Sequence, residues 1–113
     1  FEQTEAFIRK AALDSVYFSI LTPYPGTECF RQMEREGRLL HKDWRLYDTA
    51  HAVFEPRGMT CKELEEGYAW TYRKAFSFRS MFSRLWGSRT NLQFFLPDNL
   101  AFRFSSARML EER

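Results

Sequence analysis

At 113 residues, the chain has room for one small domain or for a piece of a larger one. Its 44% hydrophobic share, with twelve Phe, excludes a disordered polymer, because that much apolar surface can offset the entropy of ordering. The net charge of +2 excludes a strong overall electrostatic partner, yet residues 1–55 hold seven Lys/Arg against nine Asp/Glu and residues 56–113 hold ten against six, a bias that a solvated helical face explains more simply than RNA, a phosphorylated ligand or an anionic membrane.

Residues 1–13 read as a helix, with Phe7, Ile8, Ala11 and Ala12 on one apolar stripe. The chain therefore opens inside an element, at Phe1 rather than Met, and an upstream portion is expected. Ser15–Leu21 (SVYFSIL) is apolar on both alternating faces: Val16, Phe18 and Ile20 on one, Tyr17 and Leu21 on the other. That is the pattern of a strand buried on both sides in a parallel sheet covered by helices. A single strand cannot satisfy its own backbone, and the only other candidate, His51–Phe54, is short. The first 37 residues are accordingly expected to be the last helix–strand–helix unit of a larger α/β sheet or barrel.

Thr22–Thr27 (TPYPGT) cannot continue a central strand, since two prolines remove ladder donors. Thr27 is placed to cap a helix over Glu28–Glu36 that ends at Gly37. The loop thus lies at the carboxyl end of a parallel strand, where α/β folds place ligand sites. Residues 38–59 form a long aromatic connector with a helical turn expected near Asp43–Leu46. Its two histidines, His41 and His51, lack metal-ligand spacing, and a structural hydrogen-bonding role is the simpler reading.

Thr60-Cys61-Lys62-Glu63 matches a capping box. The helix it opens carries Leu64, Tyr68, Tyr72, Ala75 and Phe76 at helical spacing. A second amphipathic stretch puts Phe78, Met81, Phe82, Leu85 and Trp86 on its apolar face, with Arg79, Ser80, Ser83 and Arg84 opposite, and a kink near Ser77 is open. The remainder reads as helical, with Pro97 either kinking it or starting a new helix from Leu96. The organisation expected is 1–37 for the barrel end, 38–59 for the connector and 60–113 for a helical C-terminal region. The fold class is mostly α with minor β.

Cys29 and Cys61 are too far apart for a CxxC, so neither a disulfide framework nor a metal site is supported, and a cytoplasmic location is the simplest compartment. The longest uncharged stretches, Ser15–Thr27 and Thr90–Pro97, fall short of the roughly 20 apolar residues a membrane span needs. No phosphate loop, HExxH, GxSxG or complete catalytic constellation is present.

The run DSVYFSILTPYPGTECFRQMEREGRLL, then DWRLYDTAHAVFEP and MTCKELEEGYAWTYRKAFSFRSMFSRL, resembles the C-terminal region of cobalamin-binding radical SAM proteins. The resemblance implies the last strand of a partial α/β barrel followed by a helical extension. It implies a parent enzyme using a [4Fe–4S] cluster, S-adenosylmethionine and cobalamin. It also implies, as partners, an N-terminal barrel, a cobalamin-binding domain and a small-molecule substrate. This chain has no CxxxCxxC, and two separated cysteines cannot replace three clustered thiolates. Alone it is expected to bind neither metal nor cofactor and to be inactive.

Carried over from the resemblance, Thr22, Tyr24 and Gly26 form the loop that would face S-adenosylmethionine or substrate. Trp44, Tyr47, Asp48 and His51 belong to the connector that would cover the site. A rival reading is a self-contained amphipathic helical module whose basic, aromatic Phe78–Trp86 stretch meets an anionic membrane surface or RNA. For the tail aromatics, core packing ranks ahead of nucleic acid.

Overall fold

The computed structural model describes residues 1–87 and 92–111. Five helices follow in order: α1 (Glu2–Lys10), α2 (Glu28–Arg35), α3 (Cys61–Ala75), α4 (Phe78–Gly87) and α5 (Leu92–Glu111). A 3-10 turn covers Trp44–Leu46. Among the described residues there is no strand, only an isolated antiparallel bridge between Leu39 and Phe54. The mostly α expectation therefore holds. The chain divides into two compact units, one formed by Phe1–Phe18 and Ala69–Arg113, the other by Ser19–Tyr68, with the boundary inside α3.

The expected strand at Ser15–Leu21 is corrected. The segment is without secondary structure, because the strands that would complete a ladder are not among the described residues. Side chains and loops satisfy part of its backbone instead. Within the first unit, the Tyr72 hydroxyl accepts from the Phe18 N–H at 3.1 Å and donates to the Phe18 carbonyl at 2.9 Å. Within the second, the Ile20 N–H donates to the Thr49 carbonyl at 2.7 Å. Val16, Phe18 and Ile20 turn at least partly inward, whereas Tyr17 and Leu21 stay exposed. The segment is apolar on both faces, as read, but only one face is covered.

In the first unit, α1 opens with Glu2 and Glu5 and closes with Arg9 and Lys10, a charge order that complements its dipole. It ends at Lys10, three residues earlier than its periodicity suggests, and Ala12 turns the chain at a φ of 49°. Of the expected stripe only Ile8 is fully buried, and Phe7 faces outward. α3 and α4 are separate helices. Ser77 divides them: its hydroxyl accepts from the Ser80 N–H at 3.3 Å and donates to the Lys74 carbonyl at 2.8 Å. Pro97 lies inside α5 rather than at its start.

The packing of α4 overturns its helical-wheel reading. Ser80, Met81 and Arg84 are buried, while Phe78, Phe82 and Trp86 are exposed. The reason is a polar centre that a wheel cannot show. Fully buried Arg84 donates to the carbonyls of Leu13 at 2.8 Å and Ala75 at 3.0 Å, and to Asn99 Oδ1 at 2.7 Å. The Asn99 amide donates onward to the carbonyls of Asp14 and Phe95, each at 2.8 Å. The guanidinium lies near the rings of Phe76 and Phe95. One side chain thereby answers the open carbonyls after α1 and at the end of α3 while anchoring α5. Gly87 permits close approach here, since a Cβ on it would meet the Ala12 Cβ at 2.8 Å.

The second unit is built around Phe30, Tyr47 and Val53, with Leu39 and Leu46 packed against them. Thr27 caps α2 as expected, its hydroxyl accepting from the Phe30 N–H at 3.2 Å. Asp43 caps the 3-10 turn, accepting from the Arg45 N–H at 3.2 Å. The capping box at α3 is complete: Glu63 accepts from the Thr60 N–H at 2.7 Å, and the Thr60 hydroxyl accepts from the Glu63 N–H at 3.2 Å. Glu65 then reaches the Ala52 N–H at 2.8 Å and ties the connector to α3 within this unit.

Candidate functional site

The loop Thr22–Thr27 is a compact turn. The Thr22 hydroxyl donates to the Ile20 carbonyl at 3.1 Å, and Pro23 is buried. The Thr27 hydroxyl donates to the Tyr24 carbonyl at 2.6 Å, and Arg31 holds the Gly26 carbonyl at 3.0 Å. Gly26 has a φ of 85°, a left-handed conformation that side chains resist, and nothing lies near its missing Cβ. Tyr24 is exposed. The turn thus presents one exposed aromatic ring and an open glycine backbone.

The connector residues divide into two roles. Tyr47 belongs to the core: its hydroxyl donates to the His41 carbonyl at 2.8 Å, and burial pushes that hydroxyl's pKa up. Trp44 stacks edge-on against Tyr47 with ring centres 4.9 Å apart, yet keeps half its surface open. Asp48 and His51 form a pair. The Asp48 carboxylate accepts from the N–H groups of Ala50 at 2.9 Å and His51 at 3.1 Å, and it meets His51 Nδ1 at 2.9 Å. Partial burial works against the charge on Asp48, but the Ala50 N–H and the His51 ring outweigh it and hold the carboxyl below the usual range.

Thr49, between these two, was not singled out from the sequence. Its φ of 67° is rare for a β-branched residue and stores about 1–3 kcal/mol of strain. Its carbonyl receives the Ile20 N–H, so the strained turn is fastened to the base of the Thr22–Thr27 loop within one unit. Loop and connector are therefore brought together at their bases. Asp48 and His51 were expected from the resemblance; neither their pairing nor the left-handed Thr49 between them was read from residue spacing.

Chemically, the tautomer of His51 with its proton on Nδ1 donates to the Asp48 carboxylate and leaves Nε2 as an acceptor. No partner of Nε2 is found among the described residues. The pair can orient a polar ligand group. A cleft of about 490 Å³ in the first unit is lined instead by Glu2, Glu5, Arg9, Trp70, Lys74 and neighbours, and no sequence-predicted site residue reaches it.

The chain is similar to a bacteriochlorophyllide d C-12(1)-methyltransferase from Chlorobaculum tepidum, at 33% identity over 96 residues. That match covers 85% of this chain and 21% of the relative. A bacteriochlorophyllide d C-8(2)-methyltransferase from the same organism is 32% identical over 72 residues, 57% of this chain and 16% of its own length. An uncharacterized methyltransferase from Pyrococcus horikoshii is 32% identical over 65 residues, 58% of this chain and 14% of its own. The relatives are methyltransferases. The chain spans about a fifth, or less, of their lengths. No family model and no solved structure matches.

These relatives correct the cobalamin-binding family suggested by resemblance. What the chain matches is a set of methyltransferases, and neither their descriptions nor the described residues support a cobalamin-binding domain. The quoted motifs form a turn, a connector and helix caps, so they carry no information about such a domain. An iron–sulfur cluster also does not fit this chain. Cys29 and Cys61 are free thiols, and no cluster of three or more His, Cys, Asp or Glu stands ready for a metal among the described residues. No helix among them is long and apolar enough to cross a membrane.

Proposed function

We propose that this chain is part of a methyltransferase that uses S-adenosylmethionine, of the radical type, acting on a chlorophyll-like tetrapyrrole. The observation that carries the reading is the 33% identity to a bacteriochlorophyllide methyltransferase across 85% of the chain. Within that enzyme the chain supplies the end of a partial barrel and a helical cover. Ser15–Leu21 supports this role: it is apolar on both faces, Tyr17 and Leu21 stay exposed, and among the described residues the N–H groups of Tyr17, Ser19 and Leu21 have no partner. A neighbouring strand would satisfy those donors.

In this reading Thr22, Tyr24 and Gly26 face S-adenosylmethionine or the tetrapyrrole. Trp44, Asp48 and His51 cover it, with Trp44 offering a face to a flat ring and His51 Nε2 a polar anchor. Cluster thiolates, where the enzyme uses them, come from residues other than these.

The test is to incubate the full-length protein, reduced and supplied with S-adenosylmethionine, with bacteriochlorophyllide d and follow the pigment by mass spectrometry. A product heavier by one methylene unit is expected, slowed at least tenfold in His51→Gln by loss of a positioned group. Turnover of S-adenosylmethionine with no change in pigment mass would reject the substrate class.

A further inference from the structure

We infer that the cleft in the first unit binds an aromatic amino acid, holding its carboxylate at the start of α4 and its ammonium at α1. The cleft, about 490 Å³, matches the roughly 300–1,000 Å³ of small-molecule pockets and far exceeds the about 30 Å³ of one water. Ser80, which lines it, is 3% exposed, and its hydroxyl is buried without a partner. A helical serine points its hydroxyl to solvent or turns it back to the carbonyl four residues earlier. Here that carbonyl belongs to Phe76 and accepts from Arg103 at 2.8 Å instead. The Ser77 hydroxyl is also committed, to the Lys74 carbonyl and the Ser80 N–H. A buried hydroxyl left open is rare and calls for a partner, and the cleft is where one can reach it.

Charge selects the two ends of the occupant. The start of α4 borders the cleft through Ser77, Arg79 and Ser80, and its first turn holds no acid. The N–H groups of Phe78 and Arg79 in that turn have no partner among the described residues, and with the helix dipole they favour an anion. Lys74 and Arg79 line the same cleft, and neither enters an ion pair among the described residues. α1 brings the opposite sign. Glu5 is held by Arg9 at 3.6 Å, which leaves Glu2 open to an ammonium. Three lining cations against two carboxylates leave one positive charge, which a single carboxylate neutralises. A phosphate dianion would exceed it and meet Glu2 and Glu5 as like charges. Trp70 adds an aromatic wall, with the Lys74 ammonium 5.8 Å from its ring centre, so an aromatic side chain packs there while the polar ends bind. The site shares no residue with the Thr22–Thr27 loop or the connector and is independent of the methyl-transfer reading.

The test is titration calorimetry of the full-length protein with L-phenylalanine, 3-phenylpropionate, phenethylamine and inorganic phosphate. L-phenylalanine is expected to bind, with the two single-ended analogues weaker by about tenfold or more and phosphate failing to compete. Lys74→Gln with Arg79→Gln should weaken L-phenylalanine by about tenfold and keep the parent's circular dichroism, because both side chains are exposed. Glu2→Gln should weaken L-phenylalanine but tighten 3-phenylpropionate, a reversal that no general loss of structure produces. Ser80→Ala should weaken binding about threefold or more while leaving the ligand-free protein at least as stable in urea, since the hydroxyl it removes has no partner to lose. Absence of L-phenylalanine binding up to about 10 mM overturns the proposal. Equal affinity for 3-phenylpropionate or phosphate, which would make the cleft a plain anion site, overturns it too, as does unchanged binding by a folded Lys74/Arg79 double variant.

Discussion

Replacing Arg84 with Met tests the polar centre that orients α4. The substitution keeps a long apolar stem in the site but removes every donor. Three acceptors then lose this partner: the buried Ala75 carbonyl and Asn99 side-chain oxygen, held at 3.0 and 2.7 Å, and the half-buried Leu13 carbonyl at 2.8 Å. Each orphaned acceptor costs about 1–3 kcal/mol. Against this, the variant no longer buries a guanidinium, a relief of several kcal/mol. That relief is real here, since burial pushes the Arg84 pKa below its ordinary value, Asp14 only partly opposing, and its Nε has no partner. The balance is a local loss of about 2–4 kcal/mol. Hydrogen-exchange mass spectrometry of the full-length protein reads this directly, as exchange about 30- to 1,000-fold faster across Phe78–Gly87. Exchange unchanged within threefold would show that the three carbonyls need no donor, and the account of why α4 faces as it does would fall.

Three further outcomes follow from single contacts. Tyr72→Phe removes the hydroxyl that both accepts from and donates to the Phe18 backbone, and should destabilise its unit by about 1–2 kcal/mol, seen as faster exchange of the Phe18 amide. Glu36 is pulled down to about 2 by the Gln32 amide first, then by Arg38 and Arg57, so its folded pKa lies below the unfolded value of about 4.3. Its contribution is complete above that unfolded value and is lost as pH falls toward 2; a carboxyl resonance titrating near 4 in the folded protein would contradict the three-donor arrangement. Thr49→Gly relieves the left-handed strain between Asp48 and His51 and should raise stability by about 0.5–1 kcal/mol in urea unfolding, with methyl transfer slowed if the turn positions His51.

What could be read from the sequence was what neighbours in sequence settle between themselves. The Thr27 cap and the Thr60–Glu63 box each close over three residues. The 3-10 turn capped by Asp43 closes over two. Residue types at those spacings suffice to place them. The face of α4 was not legible, because Arg84 and Leu13 are 71 residues apart and a helical wheel treats arginine as solvent-facing. Only the contact itself shows that its charge is exchanged for three carbonyls. Ser15–Leu21 failed for the opposite reason: its two-sided apolarity describes a ladder, and no ladder strand is found among the described residues, so extended backbone bonds Tyr72 and Thr49 instead. At the candidate site the residues came from a resemblance, and which of them pack and which stay open was not legible. Tyr47, grouped with Asp48 and His51 on sequence, is a core residue, while the turn that holds the pair depends on Thr49, whose unusual φ no side-chain pattern encodes. A strained threonine fastened to Ile20, between a carboxylate and its imidazole, is set by backbone contacts that only the folded chain shows.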